Sequence, residues 1–526
     1  MMTKIDIRLK DEIGLINPNI YGHFIEHLGG VVYDGIWVGE DSEIPNIKGF
    51  RRELVEKLKE IKPSVIRWPG GCFAETYNWR DGIGPREQRP TTVNWWYMND
   101  GKLETNQVGT HEFIEFCRLV NAEPYFAVNA TTTTVLEARN WIEYCNMPQG
   151  TTTLAQEREK NGAPEPFNVK YWGLGNESWG GGGCMTPEDY CHIYRKYGII
   201  SKSVGPDLHF IACGPYEGIP EWTEKFFDKY NEMYTVGRVP PMFGYSLHYY
   251  VTNTGTMGSE LEYTDTQWYE MMRIGLDMEP FIQSQYEMIR AAMPETSVGL
   301  IVDEWGVWHL QNGRHPLPGN YLFEQPSTMR EAVLAALSLN IFNNHCNKVI
   351  MANVAQLVNC IHSLFLAKGS TCVATTTYYV FDMYKIHQNA TSLKTEIDCK
   401  SVTFTIDGET HCIPSISCSA SIKDGILAVT LANIAVDEDQ EVTLNLYGGQ
   451  YAGEGTIVVL SSSSHKNGNS FEDPYKVTPV EQFIAQTGSE LTVTIPKASV
   501  VLVRLNVSYN DNLPAQQLSN ELKRNS

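Results

Sequence analysis

The sequence predicts an α/β barrel joined to an all-β domain, because the pattern of the chain changes once along its length. Up to about residue 360, eight short apolar runs alternate with segments of helical period. Strand–helix alternation repeated eight times is typical of a closed (β/α)8, or TIM, barrel. After about residue 370, short alternating segments are separated by Gly, Asp and Asn turns. That pattern indicates a C-terminal β-sandwich of jelly-roll type.

The eight apolar runs supply the predicted barrel strands, and each closes on polar or glycine-rich residues. They lie at 20–27, 64–71, 124–130, 170–178, 209–215, 243–250, 298–306 and 348–359. Helical patterns between them include those at 50–61, 109–121, 186–204 and 327–345. The hydrophobic period therefore switches repeatedly from a strand pattern to 3.6 residues and back.

We expect two domains and a tail. The predicted catalytic barrel spans 16–370, and residues 1–15 together with 371–510 are assigned to the sandwich. The N-terminal stretch "KIDIRL" alternates like a strand and precedes the first barrel strand, so we expect it to join the sandwich. Residues 511–526 form a polar tail.

Charge and composition exclude several classes of function. The net charge is −21, from 62 acidic and 41 basic residues, which argues against nucleic acid or an anionic membrane as a partner. No run of about 18 apolar residues predicts a membrane span, and the N-terminus does not resemble a signal peptide. The 12 cysteines are scattered without a CxxC pair. We therefore expect a cytoplasmic protein with reduced thiols and no metal.

Polar side chains close most of the predicted strands, at the end of the barrel where active sites lie. They are His23 and Glu26, Arg67, Asn129, Asn176 and Glu177, His248 and Tyr250, Asp303 and Glu304, and Asn353 and Gln356. The sequence has no nucleophile elbow, phosphate loop or HExxH motif. Carboxylates thus converge with amide, histidine and tyrosine partners.

Two carboxylates at the mouth of one barrel suit glycoside hydrolysis, in which one acts as acid and the other as nucleophile. Glu177 and Glu304 are the natural pair, since each stands at a strand end beside tryptophan. A single Glu in such a place is more often a salt-bridge partner, but the pair is harder to explain in that way. The side chains of Trp179, Trp305 and Trp308 would form the apolar walls of a sugar-binding site. No cofactor is needed, because the protein supplies both carboxylates.

Long ordered motifs, from about residue 4 to 506, resemble the α-L-arabinofuranosidases of glycoside hydrolase family 51. The motifs are "YGHFIEHLGG", "VIRWPGGCFAETYNWRDGIGP", "WGLGNESWG", "GYSLHYY", "VDEWGVW" and "NVAQLVN". The resemblance implies a (β/α)8 barrel with a β-sandwich and a retaining double displacement. It also implies an exo-acting enzyme that releases terminal arabinofuranose from arabino-oligosaccharides, arabinan or arabinoxylan fragments.

Roles for individual residues follow from the same resemblance. Glu177 would be the general acid/base and Glu304 the nucleophile. Asn176 would bind the 2-hydroxyl of the sugar. Glu26 and Gln356 match positions that bind other arabinose hydroxyls.

Further substrate-binding residues are assigned with alternatives left open. Tyr250 matches the tyrosine that supports the nucleophile, although its neighbour Tyr249 could take that place if the register slips by one. Cys72 stands where many relatives have Asn, and it either contacts the sugar or lines the floor of the pocket. Trp308 is expected on the pocket wall.

Three further residues are expected to orient the carboxylates by hydrogen bonds without touching substrate: His23, Arg67 and His248. A purely structural role is the alternative for His23. Trp95 and Trp96 lie together in a polar loop between the second and third strands. They are expected to line either the aglycone side of the site or a contact between subunits.

Other classes of protein share parts of this sequence pattern. A related barrel hydrolase, such as an endoglucanase or β-xylosidase, would use the same carboxylate pair. A catalytically inactive carbohydrate-binding protein would not need both acids. A barrel aldolase or isomerase would need a Schiff-base lysine or a metal cluster, and no Lys closes any of the eight runs. Relatives commonly form hexamers, so a homo-oligomer is expected by resemblance.

Overall fold

The computed structural model describes residues 3–205, 207–232, 242–253, 259–309 and 322–509. The predicted tail at 511–526 lies outside these ranges. Within them, no helix combines the length and apolar character that a membrane crossing requires.

The N-terminal two thirds of the chain contain thirteen of the described strands. They are β1 (Thr3–Leu15), β2 (Gly22–Phe24), β3 (Asn46–Ile47), β4 (Phe50–Arg51), β5 (Val65–Trp68), β6 (Thr92–Val93), β7 (Leu103–Glu104), β8 (Glu123–Val128), β9 (Tyr171–Leu174), β10 (His209–Ala212), β11 (Gly244–Asn253), β12 (Gly299–His309) and β13 (Val349–Ala355). The C-terminal strands are β14 (Phe365–Lys368), β15 (Thr371–Ala374), β16 (Thr391–Asp398), β17 (Ser401–Ile406), β18 (Glu409–Pro414), β19 (Ile416–Lys423), β20 (Ile426–Asn433), β21 (Gln440–Tyr447), β22 (Gly449–Leu460), β23 (Val480–Gly488), β24 (Glu490–Ile495) and β25 (Ser499–Tyr509).

The helices surround the barrel and separate it from the C-terminal strands. They are α1 (Arg52–Ile61), α2 (Tyr97–Asp100), α3 (Thr110–Val120), α4 (Val135–Asn146), α5 (Thr153–Lys160), α6 (Pro187–Ser201), α7 (Trp222–Asn231), α8 (Asp265–Leu276), α9 (Met278–Ala292), α10 (Met329–Asn344) and α11 (Thr376–Tyr384). Threonine side chains cap several N-termini, and Thr328 with Glu331 forms a capping box at the start of α10.

Eight parallel strands close the barrel in the order β2, β5, β8, β9, β10, β11, β12, β13 and back to β2. Each of the eight predicted apolar runs overlaps one of these strands, so the predicted barrel is confirmed. Side chains from five of the barrel strands form a small apolar core of their own, as expected for a barrel with a filled interior. They are Val65, Tyr125, Ile211, Ile301 and Met351.

The C-terminal region forms a nine-stranded sheet around a second apolar core, consistent with the predicted β-sandwich. β1 lies inside this sheet, antiparallel to β16 and parallel to β21. Side chains from both regions share one further apolar core, so the domain bounds given above stay a prediction. Strand β1, the first of the chain, thus pairs with two strands from the last third of the sequence.

Helix α10 lies between the barrel and the sheet and is almost entirely buried. Asn340, near its middle, accepts hydrogen bonds from Ser419 Oγ at 2.9 Å, Thr430 Oγ1 at 3.0 Å and Tyr384 OH at 3.0 Å. Its amide nitrogen donates to Ser417 Oγ at 3.1 Å. One side chain thus satisfies four hydroxyl groups where the two regions meet.

We expect Asn340→Ala to destabilise the protein by roughly 2–4 kcal/mol, because it leaves buried hydroxyls without a partner. The urea midpoint of unfolding measures this effect. The control is Gln283→Ala on α9, which removes an exposed amide and should change stability by less than about 0.5 kcal/mol. Equal midpoints for the two variants would contradict the role assigned to Asn340.

Candidate active site

Most of the predicted site residues meet at the C-terminal end of the barrel strands. Glu304 lies in β12 directly beside His248 of β11. Glu177 follows β9 and has a φ of +40°, so its side chain leaves a tight turn. A Cβ at Gly182 would lie 1.7 Å from the Asn176 carbonyl oxygen. Only glycine allows the loop after Glu177 to fold back this closely.

One cationic and one neutral side chain donate hydrogen bonds to the Glu304 carboxylate. Arg67 Nη1 donates to Oε1 at 2.7 Å, and Tyr250 OH donates to Oε2 at 3.0 Å. The hydroxyl of Tyr249 instead donates to the Ile274 carbonyl at 2.6 Å, so Tyr250 is the tyrosine that faces the site. Burial raises the pKa of Glu304, and the charges of His248 and Arg67 oppose that rise.

Arg67 connects three strands through one buried guanidinium. Its Nη2 donates to Asn176 Oδ1 at 2.7 Å, and its Nε lies 3.6 Å from Asp303 Oδ2. Burial alone would lower the pKa of Arg67, but Asp303 and Glu304 raise it. The side chain therefore holds one oxygen of the Glu304 carboxylate in place.

His248 lies between three carboxylates. Its Nδ1 is 2.9 Å from Glu177 Oε1 and 3.5 Å from Glu304 Oε2, and its Nε2 is 3.3 Å from Asp303 Oδ1. Burial opposes the charged form, yet Glu304, Asp303 and Glu177 raise the pKa of His248 to about 10. The ring is therefore a cation at neutral pH that links the two predicted catalytic acids.

Asp303 is a positioning residue to which sequence reasoning gave no role. The pairing of β12 with β13 is irregular between Val302 and Trp305. Successive residues of a regular strand face opposite sides, but here Asp303 and Glu304 both reach Arg67. Tyr125 OH also donates to Asp303 Oδ2 at 2.8 Å. Arg67 and His248 lower the pKa of Asp303 against the effect of its burial.

Glu26 and Gln356 pair across the closure of the barrel. The Glu26 backbone nitrogen donates to Gln356 Oε1 at 2.9 Å, and Gln356 Nε2 donates to Glu26 Oε2 at 3.4 Å. Phe73 N and Trp96 Nε1 donate to Glu26 Oε1 at 3.0 and 3.2 Å. Burial and the charge of Glu304 raise the pKa of Glu26 to about 7.

The remaining predicted residues surround Glu177 and Tyr250. The Cys72 thiol donates to Glu177 Oε2 at 3.6 Å, so Cys72 faces the predicted acid/base. Trp308 packs edge-on against Tyr250, with ring centroids 5.3 Å apart. The Trp179 ring lies 6.4 Å from that of His248.

Two sequence predictions are wrong. His23 does not orient the carboxylates: neither ring nitrogen has a hydrogen-bond partner among the described residues, and the ring packs on Phe381 of α11. Burial lowers the pKa of His23 to about 3. Trp305 packs on Phe342 and Phe381 in the helix layer, so it is not a wall of the site. Both residues follow the alternation of their strands and point out of the barrel.

Glu75 is a second residue that the sequence did not reveal. It accepts hydrogen bonds from Asn176 N at 2.6 Å and Ala130 N at 3.0 Å, and burial raises its pKa to about 7. Glu75 therefore fixes the backbone of Asn176, the residue directly before Glu177. No local signal marks it, because its partners lie far away in the sequence.

The loop that carries Trp95 and Trp96 is anchored by Glu104 at its end. Glu104 Oε2 lies 2.7 Å from His27 Nδ1, and His27 Nε2 accepts a hydrogen bond from Trp68 Nε1 at 3.0 Å. Glu104 also accepts hydrogen bonds from Tyr33 OH and from the backbone of Asn106.

This anchor places both tryptophans of the loop on the active-site side. Trp96 contacts Glu26 directly. A Cβ at Gly181, in the loop that follows Glu177, would lie 3.5 Å from the Trp95 ring. The paired tryptophans thus line the site.

A closed barrel with two acidic residues at the ends of different strands, beside a buried arginine and a tyrosine, has the composition of a glycoside hydrolase site. Comparison with known proteins is consistent with this class. The family model described as "Alpha-L-arabinofuranosidase 1 domain" matches residues 57–267, and that described as "Alpha-L-arabinofuranosidase C-terminal domain" matches residues 303–499.

Individual relatives match along nearly the whole chain. The intracellular exo-alpha-L-arabinofuranosidase of Bacteroides ovatus is 38% identical, over 93% of both chains. The crystal structure of the GH51 arabinofuranosidase from Xanthomonas axonopodis pv. citri is 33% identical, with a TM-score of 0.89 over 96% of this chain and 100% of that one. The arabinose complex of the Thermotoga maritima α-L-arabinofuranosidase is 29% identical, with a TM-score of 0.81 over the same shares.

The chain belongs to the α-L-arabinofuranosidases of glycoside hydrolase family 51. It is a glycoside hydrolase with arabinofuranosidase activity.

The two adjacent tyrosines give a matched test of the site. We expect Tyr250→Phe to lower kcat about 10- to 100-fold, because it removes a hydrogen bond to the Glu304 carboxylate. Tyr249→Phe should leave kcat within about threefold, since that hydroxyl bonds a helix carbonyl outside the site. Steady-state kinetics on a nitrophenyl α-L-arabinofuranoside would measure both. A larger loss for Tyr249→Phe would show that the register is wrong.

We expect Glu104→Gln to raise KM about tenfold and to change kcat less, because a weakened anchor loosens the Trp96 wall. The exposed Glu87 of the same long connection provides the control, since Glu87→Gln should leave KM unchanged. Circular dichroism would verify that both variants are folded. An unchanged KM for Glu104→Gln would separate the anchor from substrate binding.

Proposed function

We propose that the protein is an exo-acting, retaining α-L-arabinofuranosidase. It releases terminal arabinofuranose from arabino-oligosaccharides or from fragments of arabinan or arabinoxylan. The spacing of the two acids supports the retaining reaction most directly. One carboxylate oxygen each of Glu177 and Glu304 lie within 4.8 Å of each other. Retaining enzymes place the two groups about 5–5.5 Å apart and inverting enzymes about 6.5–9.5 Å apart.

In the first step, Glu304 attacks the anomeric carbon of the bound arabinofuranoside. The glycosidic bond breaks with its electron pair on the leaving oxygen, which takes the proton of Glu177. Arg67 and Tyr250 orient the Glu304 carboxylate for this attack. The product of the step is an ester between Glu304 and the sugar.

In the second step, Glu177 acts as the base. It takes a proton from water, which attacks the anomeric carbon and breaks the ester to free Glu304. Glu177 is a carboxylate at this stage, and the His248 cation at 2.9 Å stabilises that charge. Two inversions at one carbon leave the configuration retained.

Three polar side chains around the acids support recognition of a single sugar. The amide nitrogen of Asn176 is buried and has no hydrogen-bond partner among the described residues, so it is free to donate to the 2-hydroxyl. Glu26 and Gln356 form the paired group that would bind other hydroxyls. Cys72, beside Glu177, lines the same pocket.

Aromatic side chains support an exo mode of action. Trp96 and Trp308 each pack edge-on against Phe323, at centroid distances of 5.5 and 5.1 Å. Together they form a continuous apolar wall next to Glu26 and Tyr250, which suits a pocket for one terminal residue. The name of the Bacteroides ovatus relative contains both "exo" and "intracellular". It supports this mode of action and a cytoplasmic location. A homo-oligomer, hexameric by resemblance, completes the proposal.

Chemical rescue tests the roles of the two acids. Glu177→Ala should lower kcat by about 10²- to 10⁴-fold on a substrate with a poor leaving group. The same variant should lose much less activity on a dinitrophenyl arabinofuranoside, because this leaving group needs no protonation. Azide should restore turnover and give the α-configured glycosyl azide, because azide attacks the β-linked Glu304 ester from the opposite face. Glu304→Ala should lose on the order of 10⁴-fold on every substrate.

Two further readouts separate this proposal from its rivals. NMR of products formed in methanol should show methyl α-L-arabinofuranoside, and the inverted methyl glycoside would exclude a retaining reaction. Purified protein should prefer a nitrophenyl α-L-arabinofuranoside to the β-D-xylopyranoside and the α-L-arabinopyranoside. Preference for the xyloside would keep the chemistry and replace the substrate.

A further inference from the structure

One mixed group of ligand-type side chains stands out among the described residues. Glu177, His248 and Glu304 each present one oxygen or nitrogen atom, and these three atoms lie within 4.8 Å of one another. His248 Nδ1 is 2.9 Å from the Glu177 carboxylate and 3.5 Å from that of Glu304. Zinc bonds of about 2.1 Å in a tetrahedral site would place neighbouring ligand atoms about 3.4 Å apart.

We propose that Glu177, His248 and Glu304 form a binding site for Zn²⁺ or a similar late transition-metal ion, which occupies the active site in place of substrate. The ion is an inhibitor and takes no part in the reaction. Metal binding itself does not depend on the catalytic roles proposed above. Only the expected inhibition rests on the proposed function.

The surroundings of His248 are those of a metal-ligating histidine. Its Nε2 lies 3.3 Å from Asp303 Oδ1, and Asp303 in turn accepts a hydrogen bond from Tyr125 OH. Metal-bound histidines usually donate their second ring nitrogen to a carboxylate, which fixes the ring and its tautomer. This arrangement leaves Nδ1 directed at the two glutamates.

Charge and access also favour a cation here. The carboxylates of Glu26, Glu177, Asp303 and Glu304 surround His248 and Arg67. A divalent ion held by the three clustered atoms would therefore lie among several carboxylates. Glu177 is the most exposed of the three ligands, with 20% of its side chain accessible.

The ligand types select the metal. One imidazole nitrogen and two carboxylate oxygens are ligand types that zinc accepts, and a fourth position stays open. Affinity for such ligands increases from Mn²⁺ towards Cu²⁺ and Zn²⁺, whereas Mg²⁺ retains most of its water. The Cys72 thiol lies 3.6 Å from Glu177 Oε2 and does not belong to the group of three clustered ligand atoms.

Calorimetric titration with zinc chloride tests the proposal without any activity measurement. Cys184 and Cys412 are exposed, so the protein should carry Cys184→Ser and Cys412→Ser to remove competing thiols. We expect one Zn²⁺ per chain, weakened by L-arabinose, and no binding of Mg²⁺. Co²⁺ should give the strong visible bands of a tetrahedral site. Zinc binding that arabinose does not weaken would overturn the proposal.

Matched variants identify the ligands. Glu304→Gln should weaken zinc binding at least about tenfold, because it removes a charged ligand. Glu217→Gln is the control: this carboxylate interacts electrostatically with His248 and Glu177 but is not one of the ligands. Its affinity for zinc should stay within about threefold of the parent. Cys72→Ser should also bind zinc as the parent does.

Two results would reject the site. In the first, Glu304→Gln binds zinc as tightly as the parent protein does. In the second, Glu217→Gln and Cys72→Ser no longer bind zinc. In kinetics, zinc should raise KM for the arabinofuranoside without changing kcat. If zinc binds at the site but the preferred substrate is a xyloside, the proposed function is refuted and the proposed metal site is still supported.

Discussion

The buried guanidinium of Arg67 is the interaction on which the rest of the site depends. A charge with almost no exposure is costly unless partners surround it, and Arg67 is 1% exposed. Asp303, Glu304 and Asn176 provide those partners from two other strands. The contacts that stabilise the cation are also the ones that aim the nucleophile and hold the sugar-binding amide. Stability and chemistry therefore share the same atoms at this end of the barrel, and a change at Arg67 would affect both.

Around that cation the site is arranged as alternating charges. His248 in β11 repeats the role of Arg67 in β5, since it also contacts Asp303 and Glu304, and it adds Glu177. Asp303 lies between the two cations, and both lower its pKa. Each cation therefore has Asp303 as a permanent partner in addition to its catalytic partners, which are Glu304 for Arg67 and Glu304 with Glu177 for His248. The catalytic carboxylates can then change their protonation or bonding during turnover while the two cations remain paired. A site built from a single ion pair would lose that support whenever its acid became esterified.

Much of this was predictable from sequence, and the reasons for the failures are physical. The fold followed from eight apolar runs with a clear change of period, and the two acids followed from their place at strand ends. His23 and Trp305 were misassigned because position near a strand end does not say which face a side chain takes. Asp303 was missed for the opposite reason: an irregular pairing between β12 and β13 turns two successive residues inward. Glu104 reaches His27 across 77 positions in the sequence, and no local pattern marks such a contact.

The position of β1 has a consequence for the order in which the chain is made. It is the first strand to be synthesised, yet its neighbours in the sheet are β16 and β21, and Arg8 pairs with Tyr447. All barrel strands are synthesised before β16 and β21. Strand β1 therefore has no partner strands during most of synthesis, and its apolar face stays uncovered. Contacts of such long sequence separation form slowly, and exposed strand edges invite aggregation in the meantime. The yield of folded protein should therefore respond to translation speed over the last third of the message more than over the first.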